Sequence, residues 1–341
     1  MDREIYDASR EGDDILVREL LEAGAEPDNY KDYNGDTALL EATRRDNENI
    51  ITILFHHGAD LNIQNRIGYT ALHLAALSGF NAVITTLVEA GADLNIQDNH
   101  DGDTALHKAA LNGRTEVITK LINAKADLTI QNNDGDTALH KAAYNGRNEV
   151  ITTLIKSGAD LNIQNNVGDT ALHKAAYNGR NEVSKTLIRA GADLTIDNND
   201  GDTALHKAAY NGRNEVSKTL IKAGADLNIQ NKRGYTALHK AARREHHDVL
   251  SSLIKAGADL TLPDNNGKNV MERAVRSGQT EVVSTLIEVG AKVPPLVASL
   301  MMNKYPSRIS SVLDFLSKKL DKCNRENGDV TKTKNIYGIW F

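Results

Sequence analysis

The sequence predicts an all-α solenoid built from tandem helix pairs, and two observations carry that prediction. The sixteen residues GDTALHKAAYNGRNEV occur three times without change, at 135–150, 168–183 and 201–216, which gives a period of 33 residues. Each copy also carries two short apolar stripes at helical spacing. Two helices of about ten residues cannot bury such stripes alone, so neighbouring units must stack and share a core.

Looser copies extend the repetition in both directions. With the Gly before each Thr-Ala-Leu-His element as the marker, units open near residues 1, 35, 68, 102, 135, 168, 201, 234 and 267. One step is a residue longer, because His100-Asp101 lengthens a loop. We therefore predict a repeat domain over 1–293 and a separate tail over 294–341, since Pro294-Pro295 cannot continue a helix.

The unit that opens at Gly168 shows the local signals. Thr170 is a good N-cap for the first helix, Gly179 ends that helix, and Gly191 suits a left-handed C-cap after the second. The apolar positions are Leu172, Ala175 and Ala176 in the first helix and Val183, Leu187 and Ile188 in the second. The polar segment 193–201 is then predicted to form a turn between two short extended segments.

The run Thr-Ala-Leu-His-Lys-Ala-Ala, followed by Asn-Gly and later by Gly-Ala-Asp-Leu-Asn, resembles the ankyrin repeat, with Ala where the commonest version has Pro. This resemblance implies helix pairs whose β-hairpin loops project to one side. It also implies a non-enzymatic protein-protein interaction module, such as an adaptor, scaffold or inhibitor, that binds a partner segment on its concave face. The first and last units depart from the pattern, and we expect them to be capping units.

Composition excludes several other classes. The chain has 40 Lys+Arg against 46 Asp+Glu, a net charge of −6, which argues against nucleic-acid binding. A single cysteine, Cys323, cannot form an internal disulfide and fits a reducing compartment. No stretch approaches the roughly 18 apolar residues of a membrane span, and no signal sequence is visible. We expect a cytoplasmic monomer.

Six histidines occupy one repeat position, and a catalytic residue would need only one copy. They are His73, His107, His140, His173, His206 and His239. The resemblance implies that they bond a Thr hydroxyl and a neighbouring loop. The pairs His56-His57 and His246-His247 lack a ligand at the i+4 spacing of a helical zinc motif. No phosphate loop or nucleophile elbow occurs, so we expect no metal, no cofactor and no enzymatic activity. The alternative is an unrecognised activity in the tail.

Variable positions of the repeat are the candidate partner contacts. We expect two basic ends, the amino-terminal one carrying Arg44, Arg45 and Arg66, that flank an acidic, tyrosine-bearing middle on an exposed rim. The residues are Asp103, Asp136, Asp169, Asp202, Tyr144, Tyr177, Tyr210, Tyr235, Arg233, Arg243 and Arg244. A polyproline II peptide advances ~9.3 Å per three residues, near the ~10 Å spacing of stacked helices, so a peptide with basic or amide groups could follow a tyrosine ladder. The alternative is that duplication alone preserved these residues.

Two further alternatives remain open. The tail carries 8 Lys+Arg and 4 Asp+Glu and has an amphipathic pattern over 308–322. It either docks on the last repeat or recruits other machinery as a targeting or sorting element. The loop residues Asn62, Asn95, Asn162 and Asn228 are similar to the ankyrin asparagine that an asparaginyl hydroxylase modifies, or they simply suit the loop.

Overall fold

The computed structural model describes residues 1–288, which form eighteen α-helices and no β-strand. In chain order the helices are α1 (Asp2–Glu11), α2 (Asp14–Glu22), α3 (Ala38–Arg44), α4 (Glu48–His56), α5 (Ala71–Ser78), α6 (Asn81–Glu89), α7 (Ala105–Asn112), α8 (Thr115–Asn123), α9 (Ala138–Asn145), α10 (Asn148–Lys156), α11 (Ala171–Asn178), α12 (Asn181–Arg189), α13 (Ala204–Tyr210), α14 (Asn214–Lys222), α15 (Ala237–Arg243), α16 (His247–Lys255), α17 (Val270–Ser277) and α18 (Thr280–Glu288). These nine pairs match the nine predicted units. The predicted helix at 308–322 and the boundary at 293/294 lie outside the described residues.

The chain divides into two compact units, one of residues 1–175 with 185–192 and the other of residues 176–184 with 193 onward. In the first unit, α1, α3, α5, α7 and α9 pack in succession, and so do α2, α4, α6, α8 and α10. In the second unit, α13, α15 and α17 form one such row and α14, α16 and α18 form the other. Each unit is therefore built from helix pairs that contact the next pair along the chain, as a solenoid requires.

Helix ends follow from the residues that the sequence places there. The first helices of five units begin with a capping box, in which the N-cap Thr side chain accepts from the backbone of the histidine three residues on, and that histidine accepts from the Thr backbone. Gly79, Gly113 and Gly146 end their helices in the left-handed conformation. The predictions for Thr capping and for glycine C-caps are confirmed at these positions.

The core is made of the predicted apolar stripes. Leu172, Ala175 and Ala176 are at most 1% exposed, and Val183 and Leu187 are equally buried. Ile188 is only half-buried, because it lies at the edge of its stripe. Alanine pairs in the first helices are buried in the six units that open at Gly68 to Gly234, for instance Ala142 and Ala143 at 0% exposure. Small side chains at these positions let neighbouring first helices approach closely.

The loops between units are turns that lack strand pairing in the part of the chain that is described. The Asn165 N–H donates to the Asp169 carbonyl (3.0 Å), and the Gly168 N–H donates back to the Asn165 carbonyl (2.8 Å). The turn at the hairpin tip is thus present, but the segments that flank it do not pair as β-strands. Gly135 shows why these loops need glycine: its φ is +75°, and a Cβ there would lie 2.5 Å from the Asn166 backbone nitrogen of the next loop.

Candidate partner-binding surface

The repeated histidines are structural hydrogen-bonding groups, as the resemblance implied. In the first unit, His107 Nδ1 accepts from the Thr104 backbone N–H (3.2 Å), and its Nε2 lies 3.0 Å from the Asp136 carbonyl oxygen of the next repeat. Because a backbone N–H can only donate, Nδ1 must be unprotonated, so the proton lies on Nε2 and is donated to that carbonyl. His73, His140 and His206 make the same pair of contacts.

This environment favours the neutral imidazole. Burial lowers the pKa of His107, and the neighbouring Asp103 carboxylate and the Asp136 carbonyl offset that effect only in part. The pKa values of His73, His140, His206 and His239 are lowered for the same principal reason. His73, His107, His140 and His206 therefore tie one repeat to the next in their neutral form.

The four aspartates expected on an exposed rim are instead buried, and that expectation is wrong. Asp103, Asp136, Asp169 and Asp202 are between 1% and 7% exposed. The Asn132 side-chain amide of the following loop donates to Asp103 (2.7 Å), and Asn165 and Asn231 donate to Asp136 and Asp202 at 2.6 Å. Neighbouring loops cover the carboxylates of Asp103, Asp136 and Asp202, so these three hold adjacent repeats together.

A cation from the next first helix neutralises each of three buried carboxylates. Lys141 lies 3.4 Å from Asp103, Lys174 lies 3.3 Å from Asp136, and Lys240 lies 2.7 Å from Asp202. Burial alone would raise the pKa of Asp103, but the hydrogen bond from Asn132 and the lysine charges outweigh it, and its pKa is lowered. The middle of the repeat array is therefore far less acidic at its surface than its sequence suggests.

A buried ion cluster lies beside the lengthened loop. Lys108 is 3% exposed, and its Nζ lies 2.7 Å from Asp98, 3.1 Å from Asp103 and 3.7 Å from Asp101. Burial would lower the pKa of Lys108, but its bonds to Asp98 and Asp103 outweigh that effect and raise the pKa. Sequence reasoning missed this cluster, although the longer loop was its visible signal.

The predicted tyrosines differ in accessibility. Tyr144 is 47% exposed and Tyr177 is 44% exposed, and Tyr210 is half-buried. Tyr235, which stands at the position that Asp occupies in the preceding units, is 7% exposed and stacks on His239. The expectation that Tyr235 presents a free contact face is therefore wrong, because its ring is enclosed by its own and the following repeat.

Three predicted arginines of the second unit lie at its surface. Arg233, Arg243 and Arg244 are exposed, and none forms an ion pair with a carboxylate in residues 1–288. The Arg244 guanidinium carbon lies 4.4 Å from the centre of the Tyr210 ring, and Lys240 Nζ lies 5.4 Å from it. We call Tyr177, Tyr210, Arg233, Arg243 and Arg244 the tyrosine-arginine surface; all five belong to the second unit.

The loop residues Asn62, Asn95 and Asn228 are exposed, and each accepts a hydrogen bond from the next repeat. Asn62 Oδ1 accepts from the Asp93 backbone N–H of the next repeat (2.9 Å), and Asn95 and Asn228 accept from Asp127 and Asp259 in the same way. These bonds explain why asparagine suits the position.

Residues 1–288 contain no group of three or more His, Cys, Asp or Glu side chains that could hold a metal ion. No helix within the same range is both long enough and apolar enough to cross a membrane.

Comparison with known proteins agrees with this architecture. The sequence profile described as ankyrin repeats (3 copies) matches residues 5–98, 90–165, 157–231 and 218–295. These matches cover well over half of the chain, which therefore belongs to the ankyrin repeat family. Proteins of this family typically act as protein-protein interaction modules.

Individual relatives match short stretches. An ankyrin repeat-containing protein of Treponema pallidum (strain Nichols) is 40% identical over 68 residues, which are 20% of this chain and 23% of that protein. An ankyrin repeat protein of Fowlpox virus (strain NVSL) is 35% identical over 75 residues, 22% of this chain and 14% of that protein. The mouse ankyrin repeat and SAM domain-containing protein 6 is 39% identical over 62 residues, 18% of this chain and 7% of that protein. The chain thus spans less than a quarter of each of these relatives.

Proposed function

We propose that this protein is a non-enzymatic adaptor, scaffold or inhibitor that binds a segment of a partner protein through the exposed ends of its first helices, the face that is concave in this family. The observation that supports the proposal most strongly is the tyrosine-arginine surface of the second unit. Tyrosine and arginine are the residue types that most often dominate binding energy at protein interfaces. Here they occupy repeat positions that the core does not use.

The surface is organised before any partner arrives. Arg244 and Lys240 lie over the Tyr210 ring, which limits the rotamers that all three side chains sample. Less side-chain freedom then remains to be lost on binding. Tyr144 of the first unit, exposed on an equivalent helix end, is a further candidate contact.

Charge indicates what kind of segment would bind. The carboxylates of Asp103, Asp136 and Asp202 are buried beside lysines, so they do not support recognition of a basic peptide. The exposed arginines of the tyrosine-arginine surface favour a segment that carries acidic side chains and an apolar or aromatic residue that can pack on Tyr177 or Tyr210. Within this proposal the protein works as a monomer in the cytoplasm, a reducing compartment that fits its single cysteine.

The test is a selection of peptide ligands from a random display library with the full-length chain, followed by affinity measurement on variants. Tyr177→Ala combined with Tyr210→Ala should weaken the selected peptides at least about tenfold, since hot-spot truncation removes about 2 kcal/mol or more. Lys222→Ala combined with Lys255→Ala, two exposed lysines on second helices, is the matched control and should leave affinity unchanged. Equal affinity for all variants, with helicity preserved, would refute this surface.

The tail offers a second candidate function, a targeting or recruiting role. The observation that favours it is compositional: 294–341 carries a net charge of +4 in a chain of net charge −6. A chain that ends at Val293 separates the two proposals. If it retains the selected peptides, the repeat surface binds them; if it loses every ligand while its helicity is unchanged, the tail carries the function.

A further inference from the structure

The second helix of the first repeat, α2, exposes apolar side chains at positions that later repeats bury. Counted from the Gly-Ala pair that follows each helix, Leu16 corresponds to Ile50 of α4. Leu20 corresponds to Leu54 in the same way. Ile50 and Leu54 are 0% exposed, whereas Leu16 is 39% exposed and Leu20 is half-buried. Ile15, beside Leu16, is 68% exposed, and we call Ile15, Leu16 and Leu20 the α2 stripe.

Neighbouring helices explain the difference. α4 packs between α2 and α6, so a second helix covers it on each side, whereas α2 packs on α1 and α4. The residues that α2 buries, Val17 and Leu21, have the i and i+4 spacing of side chains that face one neighbouring helix. Leu16 and Leu20 repeat that spacing one residue earlier. The α2 stripe therefore offers a further helix the same kind of contact that α2 makes with α4.

The first helix of the same repeat, α1, presents charged residues to solvent instead. Arg3, Glu4, Arg10 and Glu11 are exposed. The Asp7 carboxylate lies 3.6 Å from Arg3 Nε and 3.1 Å from an Arg10 guanidinium nitrogen. α1 thus has the polar surface that a capping unit requires. Apolar side chains that stay exposed beside such a polar surface are typical of an interaction site.

Charge indicates what kind of helix fits the α2 stripe. Residues 1–28 carry 10 Asp+Glu and 3 Lys+Arg, a net charge of −7 in a chain whose net charge is −6. Glu19 lies one turn from Ile15 and Leu16, and it is exposed, as is Glu22. The carboxylates of Glu19 and Glu22 form no ion pair with residues 1–288. A helix that packs on the α2 stripe must therefore bring basic side chains to its edges.

We propose that the α2 stripe binds a basic amphipathic helix of a partner protein. The partner presents apolar residues at i and i+4 spacing to Ile15, Leu16 and Leu20, and its flanking Lys or Arg residues face Glu19 and Glu22. The same acidic charge opposes two other occupants, a second copy bound stripe to stripe and an anionic membrane surface. The α2 stripe belongs to the first unit and shares no residue with the tyrosine-arginine surface, so this inference goes beyond the proposed function.

The experiment uses the full-length chain and three fluorescent peptides of about 18 residues, long enough to form a helix on binding. The basic amphipathic peptide is made of Leu, Lys and Ala, with its leucines on one helical face. A scrambled peptide has the same composition with the leucines spread around the helix, and an acidic peptide has Glu in place of Lys. Binding is measured by fluorescence anisotropy at neutral pH. The basic amphipathic peptide should bind saturably and at least about tenfold more tightly than either control peptide.

Variants then assign the binding to the α2 stripe. Ile15→Ser combined with Leu16→Ser should weaken the basic amphipathic peptide at least about tenfold, because both apolar contacts are lost. Ile67→Ser, which changes a 48% exposed isoleucine in a loop of the same unit, is the matched control and should have no effect.

The charge contribution is tested separately. Glu22→Gln should weaken the peptide by about twofold to fivefold, the effect of one exposed ion pair. Glu89 is exposed and holds the same repeat position on α6, so Glu89→Gln should leave affinity unchanged. All of these side chains are exposed, and circular dichroism checks that each variant keeps its helicity.

Four results would overturn the proposal. The first is absence of saturable binding, or equal binding of the scrambled peptide, which would reduce the effect to net charge. The second is weaker binding after Tyr177→Ala combined with Tyr210→Ala, which would place the peptide on the tyrosine-arginine surface. The third is self-association of the full-length chain in sedimentation that Ile15→Ser with Leu16→Ser abolishes, since a second copy would then be the occupant. The fourth is a peptide of residues 308–322 that binds more tightly than the basic amphipathic peptide, which would assign the α2 stripe to the chain's own tail.

Discussion

The neutral histidines predict a steep loss of stability on mild acidification. The folded-state pKa values of His73, His107, His140, His206 and His239 are all lowered, chiefly by burial. An unfolded histidine takes up a proton as the pH falls through about 6.5, whereas the folded one does so only at lower pH. Below about 6.5 the unfolded chain therefore binds more protons, and the free energy of unfolding falls with pH. Above that value both states are neutral, so the stability that the histidines contribute is fully present.

The magnitude follows from the number of protons. Each histidine contributes a slope of up to about 1.4 kcal/mol per pH unit. The first compact unit holds three of the five histidines and the second holds two. The free energy of unfolding can therefore change by at most about 4 kcal/mol per pH unit in the first and about 3 kcal/mol per pH unit in the second. The buried carboxylates do not change protonation in the pH range where the histidines do. The pKa values of Asp103 and Asp202 are lowered, so their contribution is lost only as the pH falls below about 3.9.

Urea unfolding followed by far-ultraviolet circular dichroism, between about pH 7.5 and 5.5, measures the slope. His140→Gln should reduce the slope of the transition that contains it by about 1.4 kcal/mol per pH unit, whatever it does to absolute stability. Proton uptake measured calorimetrically in two buffers gives an independent count. A free energy of unfolding that stays flat down to about pH 5.5 would refute the argument, since the histidines would then titrate alike in both states.

Three substitutions test other features of the repeat by urea unfolding. Lys125 has a φ of +73°, and the equivalent residue of the next repeat, Gly158, has a φ of +85°. Lys125→Gly should therefore raise the free energy of unfolding by about 1 kcal/mol. A decrease would show that the lysine side chain makes a contact that outweighs the backbone strain. Ser217 is fully buried, and its hydroxyl has no hydrogen-bond partner among the described residues. Ile151 stands at the same position two repeats earlier, so Ser217→Ile should raise the free energy of unfolding by about 1 to 3 kcal/mol. A lower stability would mean that the site cannot hold the larger side chain. Asp103→Ala should destabilise by about 3 kcal/mol or more because it removes the carboxylate that pairs with Lys141 and one of those that pair with Lys108, and a change within experimental error would contradict that interpretation.

The sequence predicted the fold well because the signals that define a repeat are local. Thr104 and His107 lie three residues apart, and Gly113 ends the same helix, so their roles depend on a single turn of chain. The repeat period and the positions of the apolar stripes then determine how the helix pairs stack. A shift of one residue in the helix register of any repeat would turn its alanine face toward solvent. The number of helix pairs followed directly from counting the markers.

The position of the aspartates was not predictable by the same means. The burial of Asp103 depends on Asn132, 29 residues later, and on Lys141, which approaches from the next first helix. A charged loop residue is expected to be exposed when its own repeat is considered alone. The signal was nevertheless present, because Asp, Asn and Lys recur in the same phase in every identical copy, as a ladder of bonded groups would require.

Where the aspartate is replaced, the cation that faces it still has a partner, and this shows what the position selects. Tyr69 and Tyr235 occupy the aspartate position in their repeats; Lys108 Nζ lies 5.1 Å from the first ring, and the Arg273 guanidinium carbon lies 4.5 Å from the second. Carboxylate and aromatic ring are both partners for a cation, although only the carboxylate cancels its charge. In both cases a loop aspartate supplies the missing negative charge, because Asp98 pairs with Lys108 and Asp264 pairs with Arg273.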